Sequence, residues 1–544
     1  MTRFGRLGKL KTLSFLPLLL LAGCAGVSQT QGEGVDLPAY LELIEQPEPL
    51  GLADDTALMA VLTAEIALAR GQSNIAIEQY GLAAERSSEA VVARRAVEIA
   101  LREGDNEAAM RGTRRWLLLA PDSLDARQLL GVLTIREGDV EGAYQILSQN
   151  LPTDRAERDA LMGRLGSLLS QSDMPAEVLP LMQRLVAAQP QSAAGQLALA
   201  RLALSRDALN IAREAVDRAL GLRPDWVTAR LVRVDVLVAQ GQDALALSAY
   251  RSLIADGVSS PELLTNAAML AMEAGDLRDA GQLLRELKTM PGQADRAALW
   301  LGQLAEQAGV WTESLRQYEQ VRGDLQGQAQ LRAAWVLGQL DRFEEAREKL
   351  AMIRLSYPSL ASTAWRMEGE MWRTREAYGA ALQVYNAALL AHPDDLDLRY
   401  SRALVLVMLD AIDPAIEALE EILAVDPDSP HALNALGYTL VDQTDRIDEG
   451  AAMIERAYQM VPDDPAVIDS MGWAAFRQGN YEQALAYLER AHALAPEDPE
   501  IAAHLGEVLW VMGQEQQARQ IWANAKDLEP EHPVLLDTLQ RLDP

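Results

Sequence analysis

A short spacer of prolines and acidic residues, recurring at a nearly constant interval, constrains this chain more than any other feature. Near the carboxyl end it occurs 34 or 35 residues apart, at Pro427–Pro430, Pro462–Pro465, Pro496–Pro499 and Pro530–Pro533. Between spacers, apolar residues recur at helical spacing on both sides of a central break. Each interval therefore predicts two amphipathic helices joined by a tight turn, and such a hairpin buries its apolar faces only by stacking on further copies.

The interval after the second spacer shows the pattern most clearly. Asp464 is suited to cap a helix, and Pro465 suits its first turn. Gly479 and Asn480 break this helix, and the aromatic Tyr481 opens the second one. Small residues return in phase in neighbouring hairpins: Gly437, Gly472 and Gly506 in first helices, and Ala457, Ala491 and Ala525 in second helices. Small side chains at these places let neighbouring helix axes approach closely.

This pattern resembles the tetratricopeptide repeat (TPR), a helical hairpin with a period of 34 residues. The residues that follow the family's order and spacing are Met471, Gly472, Tyr481, Ala484, Leu488, Ala491 and Pro496. Phe343 and Tyr378 hold the same place after the turn as Tyr481. The resemblance implies an all-α fold, a right-handed superhelical solenoid of about 14 TPR-like hairpins. A solitary helix from Leu535 to Leu542 is expected to cap its last apolar face.

The sequence predicts five stretches, the first two of which depend on the resemblance described in the next paragraph. They are a signal peptide at 1–23, a lipidated cysteine and flexible tether at 24–55, degenerate repeats at 56–325, well-matched repeats at 326–530, and the capping helix with its tail at 531–544. Within the tether, the stretch from Leu37 to Ile44 is expected to form a short helix that packs on the first repeat.

The amino terminus resembles a bacterial lipoprotein signal. A basic head precedes an apolar run too short to span a bilayer, and the run ends in Leu21-Ala22-Gly23-Cys24, which is similar to a lipobox. The alternative is an ordinary signal peptide with a chance cysteine. The resemblance implies a covalent lipid on Cys24, the only cysteine in the chain. Ala25 follows where an aspartate would indicate inner-membrane retention, so we expect a lipid anchor in the outer membrane, facing the periplasm.

The formal net charge of −30 restricts the partners of this chain. An acidic surface repels nucleic acid and anionic lipid headgroups, so no nucleic-acid partner is expected. The charge has two interpretations, which are general solubility and selection of a basic partner. Only Lys288, Lys349 and Lys526 remain as lysines beyond the basic head, so the lysine clamp with which some TPR domains hold a carboxylate is not expected.

Motifs of catalysis and metal binding do not occur in the sequence. We find no Gly-rich phosphate loop and no HExxH or CxxC spacing. The histidines show no shared metal-ligand spacing; they are His392, His431, His492, His504 and His532. Acid pairs such as Asp394-Asp395 fall at helix starts, where carboxylates favour the helix dipole. The sequence therefore predicts a protein without catalysis, metal or cofactor other than the lipid on Cys24.

In TPR proteins the first helix of each hairpin lines a concave groove. The groove residues that this resemblance implies are Trp335, Asn434, Tyr438, Asp469, Trp473, Phe476, Glu507 and Trp510. For each aromatic residue the alternative role is packing between repeats.

The architecture resembles TPR lipoproteins that deliver substrates to C-terminal processing proteases, which degrade peptidoglycan hydrolases. The resemblance is sharpest over Leu436–Tyr438, Asp469–Trp473 and Ala503–Trp510. It implies a scaffold or adaptor whose partners are a periplasmic protease and its substrates. The alternative function is an assembly factor for an envelope complex, such as outer-membrane, pilus or polysaccharide export machinery.

Overall fold

The computed structural model describes residues 55–149, 152, 154–170 and 174–542, and these are almost entirely helical. The predicted signal peptide, Cys24 and the tether lie outside the described residues, so these remain predictions. The described residues form two compact units, divided between residues 283 and 284.

The first unit is built from the first fourteen helices, the last of which contains the division. They are α1 Asp55–Ala69, α2 Ser73–Arg86, α3 Ala90–Arg102, α4 Asn106–Leu119, α5 Leu124–Arg136, α6 Val140–Ser148, α7 Arg155–Leu169, α8 Val178–Ala187, α9 Ala193–Ser205, α10 Leu209–Leu222, α11 Val227–Ala239, α12 Asp243–Ala255, α13 Pro261–Glu273 and α14 Leu277–Thr289.

The second unit contains fifteen further α-helices. They are α15 Ala294–Gln307, α16 Trp311–Tyr318, α17 Gln326–Gln339, α18 Phe343–Ser356, α19 Ala361–Arg373, α20 Tyr378–Ala391, α21 Leu396–Met408, α22 Ile412–Val425, α23 Pro430–Gln443, α24 Ile447–Met460, α25 Pro465–Arg477, α26 Tyr481–Leu494, α27 Pro499–Val511, α28 Glu515–Leu528 and α29 Pro533–Leu542. Short 3₁₀ turns at Gly323–Leu325 and Pro358–Leu360 precede α17 and α19.

The predicted all-α class, the repeated pairs and the closing helix are confirmed. Helices α1 to α28 alternate as first and second members of fourteen successive pairs, and α29 follows alone. Most successive helices within a unit pack against one another; around α7 the pattern differs, since α7 packs on α9, and α8 packs on α6 and α9. The closing helix α29 packs on both α27 and α28. The apolar stripes are thus buried between neighbouring copies rather than in one central core.

Helix boundaries follow the local chemistry of the sequence. The Asp464 carboxylate accepts hydrogen bonds from the backbone N–H groups of Ala466 and Val467, so it caps α25 as expected. Pro465 begins that helix. At the turn that follows, Gly479 has a φ of +83°, a left-handed conformation that glycine adopts without steric cost.

Small residues in the first helices are required by close packing on the second helices. A Cβ atom added at Gly472 would lie 2.5 Å from Leu488 Cγ, and one added at Gly506 would lie 2.0 Å from Trp522 Nε1. These separations are shorter than van der Waals contact. The in-phase glycines of the sequence therefore mark the places where two helices of a pair approach most closely.

Candidate functional site

Six side chains on three successive first helices form a polar and aromatic group in the second unit, which we call the first-helix cluster. Its members are Tyr438 and Asp442 on α23, Asp469 and Trp473 on α25, and Glu500 and His504 on α27. Each helix contributes two residues four positions apart, which lie on one helix face. Stacking of the pairs brings the three faces together.

His504 is the centre of this cluster. Its Nδ1 lies 2.9 Å from Oδ2 of Asp469, and both side chains are buried. The imidazole also stacks on the Trp473 indole, with ring centroids 4.2 Å apart. The Trp473 Nε1–H group in turn donates a hydrogen bond of 2.9 Å to Asp442 Oδ1. One aromatic stack and two polar contacts therefore join α23, α25 and α27.

Tyr438 links the first and third of these helices directly. Its hydroxyl lies 3.3 Å from Glu500 Oε1, to which it donates, and 3.4 Å from His504 Nε2. Tyr438 and Glu500 are 62 residues apart in sequence, so this contact crosses an entire intervening helix pair. The side chains of α23 and α27 thus meet over α25.

The pKa values of the cluster follow from burial and from its carboxylates. Burial lowers the pKa of His504, but the Asp469 carboxylate outweighs this effect and raises the pKa from 6.5 to about 9. Burial raises the pKa of Glu500, which lies at the edge of the cluster, to about 7. Burial also raises the pKa of Tyr438 well above 10, so its hydroxyl stays protonated. Near neutral pH the cluster therefore contains an imidazolium–carboxylate pair that joins α25 to α27, and the hydrogen bonds of Trp473 and Tyr438 connect α23 to them.

Four of the eight predicted groove residues are not open to a groove. Tyr438 is 9% exposed and Trp473 7% exposed, and Asp469 and Glu507 are also buried. The first three lie in the first-helix cluster. Both carboxylate oxygens of Glu507 accept from Arg541 on α29, at 3.0 and 2.7 Å. In the structure these four side chains therefore pack between repeats, which was the alternative role for the aromatic residues, because three neighbouring first helices and the closing helix fill this face with their own side chains.

The other four predicted residues are partly exposed. Phe476 stacks on Trp473 with ring centroids 5.1 Å apart, at the edge of the cluster. Trp510 lies 5.6 Å from Trp522 by ring centroids. Trp335 belongs to a different group, an edge-to-face contact of 5.4 Å with Trp311.

Asn434, on the turn before Tyr438, has a buried Oδ1 without a hydrogen-bond partner in the part of the chain that the structure describes. Binding of a protein by any of the eight remains a prediction.

Sequence reasoning did not identify Asp442, Glu500 and His504 as members of a site. The sequence did contain a signal for the pairing of Asp469 with His504. These residues are 35 positions apart, which is one repeat, so they occupy nearly equivalent positions on neighbouring first helices. A histidine in that position beside an aspartate predicts an ion pair between repeats.

The residues described by the structure show neither a metal site nor a membrane span. Among them, no group of histidine, cysteine or acidic side chains has an arrangement that would hold a metal ion. None of their helices is long and apolar enough to cross a membrane.

Comparison with known proteins defines the class of this protein. Two tetratricopeptide repeat family models match this chain. One matches residues 197–261 and 331–395, and the other matches residues 374–437 and 475–542. The chain is 31% identical over 511 residues to a TPR repeat-containing protein of Pseudomonas aeruginosa, an alignment that covers 87% of this chain and 86% of that protein. The chain therefore belongs to the family of TPR repeat-containing proteins.

Solved structures with similar helical repeats are more distant. The chain is 15% identical to a chain of the APC/C hetero-tetramer Cut9–Hcn1, with a TM-score of 0.36 and coverage of 90% of this chain and 97% of that one. For yeast Tom70 the identity is 14%, the TM-score 0.35 and the coverage 90% and 95%. A thermophilic TPR protein of Thermus thermophilus is 24% identical, with a TM-score of 0.30 and coverage of 34% and 97%.

Proposed function

We propose that this protein is a lipid-anchored adaptor of the outer membrane that faces the periplasm and holds protein partners. It delivers substrates to a C-terminal processing protease and thereby controls peptidoglycan hydrolases. TPR proteins generally act as protein-interaction scaffolds. The lipobox-like Leu21–Cys24 supports the location, and the C-terminal first helices, through their resemblance to the protease adaptors, support the finer role.

The observation that carries the binding role is the rigid support beneath two partly exposed aromatic rings. Phe476 rests on Trp473, which is itself held by His504 and by its hydrogen bond to Asp442. Trp510 contacts two side chains of α28: the Trp522 ring and the Arg519 guanidinium, whose carbon is 4.7 Å from the centre of the Trp510 ring. Aromatic anchors whose orientation is already fixed lose little entropy on binding and often dominate the energy of an interface.

Reconstituted proteolysis tests this proposal. The purified mature protein is added to a C-terminal processing protease and a peptidoglycan hydrolase from the same organism, and the rate of hydrolase degradation is measured. We expect faster degradation, and we expect a Phe476→Ala/Trp510→Ala variant to weaken partner binding on the order of 10-fold or more. Leu390→Ser, which changes an exposed side chain on a second helix, is the matched control.

Two outcomes would contradict the adaptor role. Degradation that is unchanged by the protein would refute delivery to the protease. Crosslinking in native envelopes that recovers components of an export, pilus or outer-membrane assembly machine, without a protease, would instead favour the role of assembly factor.

A further inference from the structure

One face of α1, the helix that begins the first unit, is apolar and exposed. Its members are Leu58, Met59, Leu62 and Ile66, whose exposed fractions are 39%, 63%, 49% and 53%. At about 100° per residue they fall within about 100° of the helix circumference, so they form one continuous strip. We call this strip the α1 face. Large apolar side chains gathered on one exposed face are typical of an interaction surface.

Ile66 is the clearest member of the α1 face, because its position in the repeat is buried elsewhere. It precedes the left-handed turn residue Gly71 by five positions. In the other first helices of this unit that end at a left-handed residue, the side chain at this position is at most 6% exposed; these residues are Ile99, Leu133, Leu202, Val236 and Leu270.

The neighbours of these helices explain the difference. Each of them packs on a helix of the pair before it, whereas no pair precedes α1 among the described residues. The α1 face therefore has the apolar character of an interior position but lies at the end of the stack. Terminal repeats of a solenoid need a cap over such a face.

The last pair of the chain shows how a terminal face is covered. The closing helix α29 packs on α27 and α28, and its Leu535 is fully buried. This helix is 10 residues long and begins at Pro533. A short helix supplied by the chain itself is thus sufficient to cover a terminal apolar face.

The sequence before α1 contains a matching pattern, in residues that lie outside the described part of the chain. Apolar residues recur there at i, i+3, i+4 and i+7, which is the spacing of one helix face: Leu37, Tyr40, Leu41 and Ile44. Glu42 falls on the opposite side of such a helix. A helix over residues 37–44 has a length of ~12 Å, which equals the distance that the α1 face covers from Leu58 to Ile66.

We propose that the segment Leu37–Ile44 docks on the α1 face as a short amphipathic helix and closes the amino-terminal end of the repeat stack. Residues 45–54 connect the two and reach ~33 Å when extended, about three helix diameters, so the segment can turn back onto α1. Its connection to α1 gives it an effective concentration in the millimolar range, which favours it over a second molecule. The net charge of −30 also opposes a second copy of this chain, or an anionic membrane surface, as the occupant.

Docking shortens the tether between Cys24 and the repeats. When the segment is docked, only residues 25–36 separate it from Cys24, and they reach ~40 Å at most. Without docking, residues 25–54 would together reach ~100 Å. The segment therefore limits the distance from the membrane at which the first repeat can act. This consequence rests on the proposed lipid anchor, whereas the docking itself does not.

Hydrogen exchange followed by mass spectrometry tests the docking. The sample is the full mature chain with Cys24→Ser, which excludes lipid and membrane from the assay. We expect the amides of residues 39–44 to exchange about 10-fold more slowly, or slower still, than those of a free peptide of the same sequence. Leu62→Glu/Ile66→Glu should remove this protection, whereas Leu118→Glu, which changes a side chain that is 69% exposed on α4, should retain it.

Thiol labelling provides a second measurement that does not depend on the folding of the glutamate variants of α1. With Ile66→Cys in the same chain, Leu41→Glu should speed labelling about 10-fold, because the segment leaves the α1 face. Glu42→Gln, on the opposite side of the segment, is the matched control and should leave the labelling rate unchanged.

Several results would overturn the proposal. They are exchange of residues 39–44 at the rate of the free peptide, protection that survives Leu62→Glu/Ile66→Glu, and labelling that is insensitive to Leu41→Glu. Protection that grows with protein concentration would identify a second copy as the occupant, and protection that appears only with phosphatidylglycerol vesicles would identify a membrane; either would also overturn it. Since the assay involves neither protease nor lipid anchor, failure of the adaptor role would leave these results unchanged.

Discussion

Raising the pH from about 7 to about 9 is expected to loosen the C-terminal helix pairs, because it removes the proton that holds His504 to Asp469. Burial opposes the charged form of His504, yet Asp469 outweighs it, and the pKa rises from 6.5 to about 9 on folding. A group whose pKa is higher in the folded state stabilises that state most at low pH. Its contribution is complete below a pH of about 6.5 and is lost as the pH passes through about 9.

The size of the effect follows from the pKa difference. A rise from 6.5 to about 9 corresponds to ~3 kcal/mol of stabilisation when fully expressed. About 2 kcal/mol of this disappears between a pH of about 7 and a pH of about 9. Glu500 acts in the same direction, since burial raises its pKa from 4.5 to about 7, but its share is lost mostly at lower pH. The interval above neutrality therefore reports mainly on His504, with a small remaining share from Glu500.

Urea unfolding at a series of pH values provides the assay. Tryptophan fluorescence follows the unfolding transition that includes Trp473, and its free energy is compared between wild type, His504→Gln and His431→Gln. His431 is exposed at the start of α23, so its variant should keep the wild-type slope. We expect the slope to vanish in His504→Gln. A wild-type stability that is constant over this interval, or a slope that persists in His504→Gln, would show that the pair does not hold the helices together.

Three further predictions concern packing and the anchor. Trp473→Ala should destabilise the C-terminal pairs by ~3–5 kcal/mol, seen as a lower thermal midpoint in circular dichroism, because the indole is buried; an unchanged midpoint would place the ring outside the packing. Gly506→Ala should cost ~1–3 kcal/mol in thermal melts because its new methyl group meets Trp522, whereas Gly379→Ala, with open space around it, should not. Cys24→Ala should abolish lipidation and release the exported protein from membranes on fractionation, and continued attachment would reject the lipoprotein interpretation.

Much of the fold could be predicted from the sequence because the information is local. The cap at Asp464, the break at Gly479 and the aromatic start at Tyr481 each depend on neighbours within one turn of chain. Because the same hairpin pattern recurs along the chain, the sequence also predicted the approximate number of helix pairs and the single closing helix. The close-packed glycines followed from their phase alone, since only a small residue fits where paired helices touch.

The candidate site was predicted only in part. The position of a residue within the repeat shows which helix face it lies on, but not which residues of other repeats it contacts. Trp473 and Tyr438 were placed on the correct helices, and the choice between open groove and packing stayed unresolved. Whether such a face is open depends on how far one pair is displaced from the next, and small displacements add up over successive pairs. In this protein the displacements bring the Tyr438 hydroxyl within 3.3 Å of Glu500 Oε1, two repeats away, so side chains of the first helices cover this face.

The sequence by itself determined the helical class, the repeated pairs and the small residues at their contacts, since these depend on spacing within one repeat. Only the tertiary structure decided that His504 pairs with Asp469 and that Arg541 occupies the Glu507 carboxylate. It also decided that Ile66 is exposed, whereas Val236, at the same register of a later repeat, is buried. The physical reason is that the burial of a side chain and its hydrogen-bond partner depend on how closely neighbouring helices approach in space. The period of the repeat does not determine that distance.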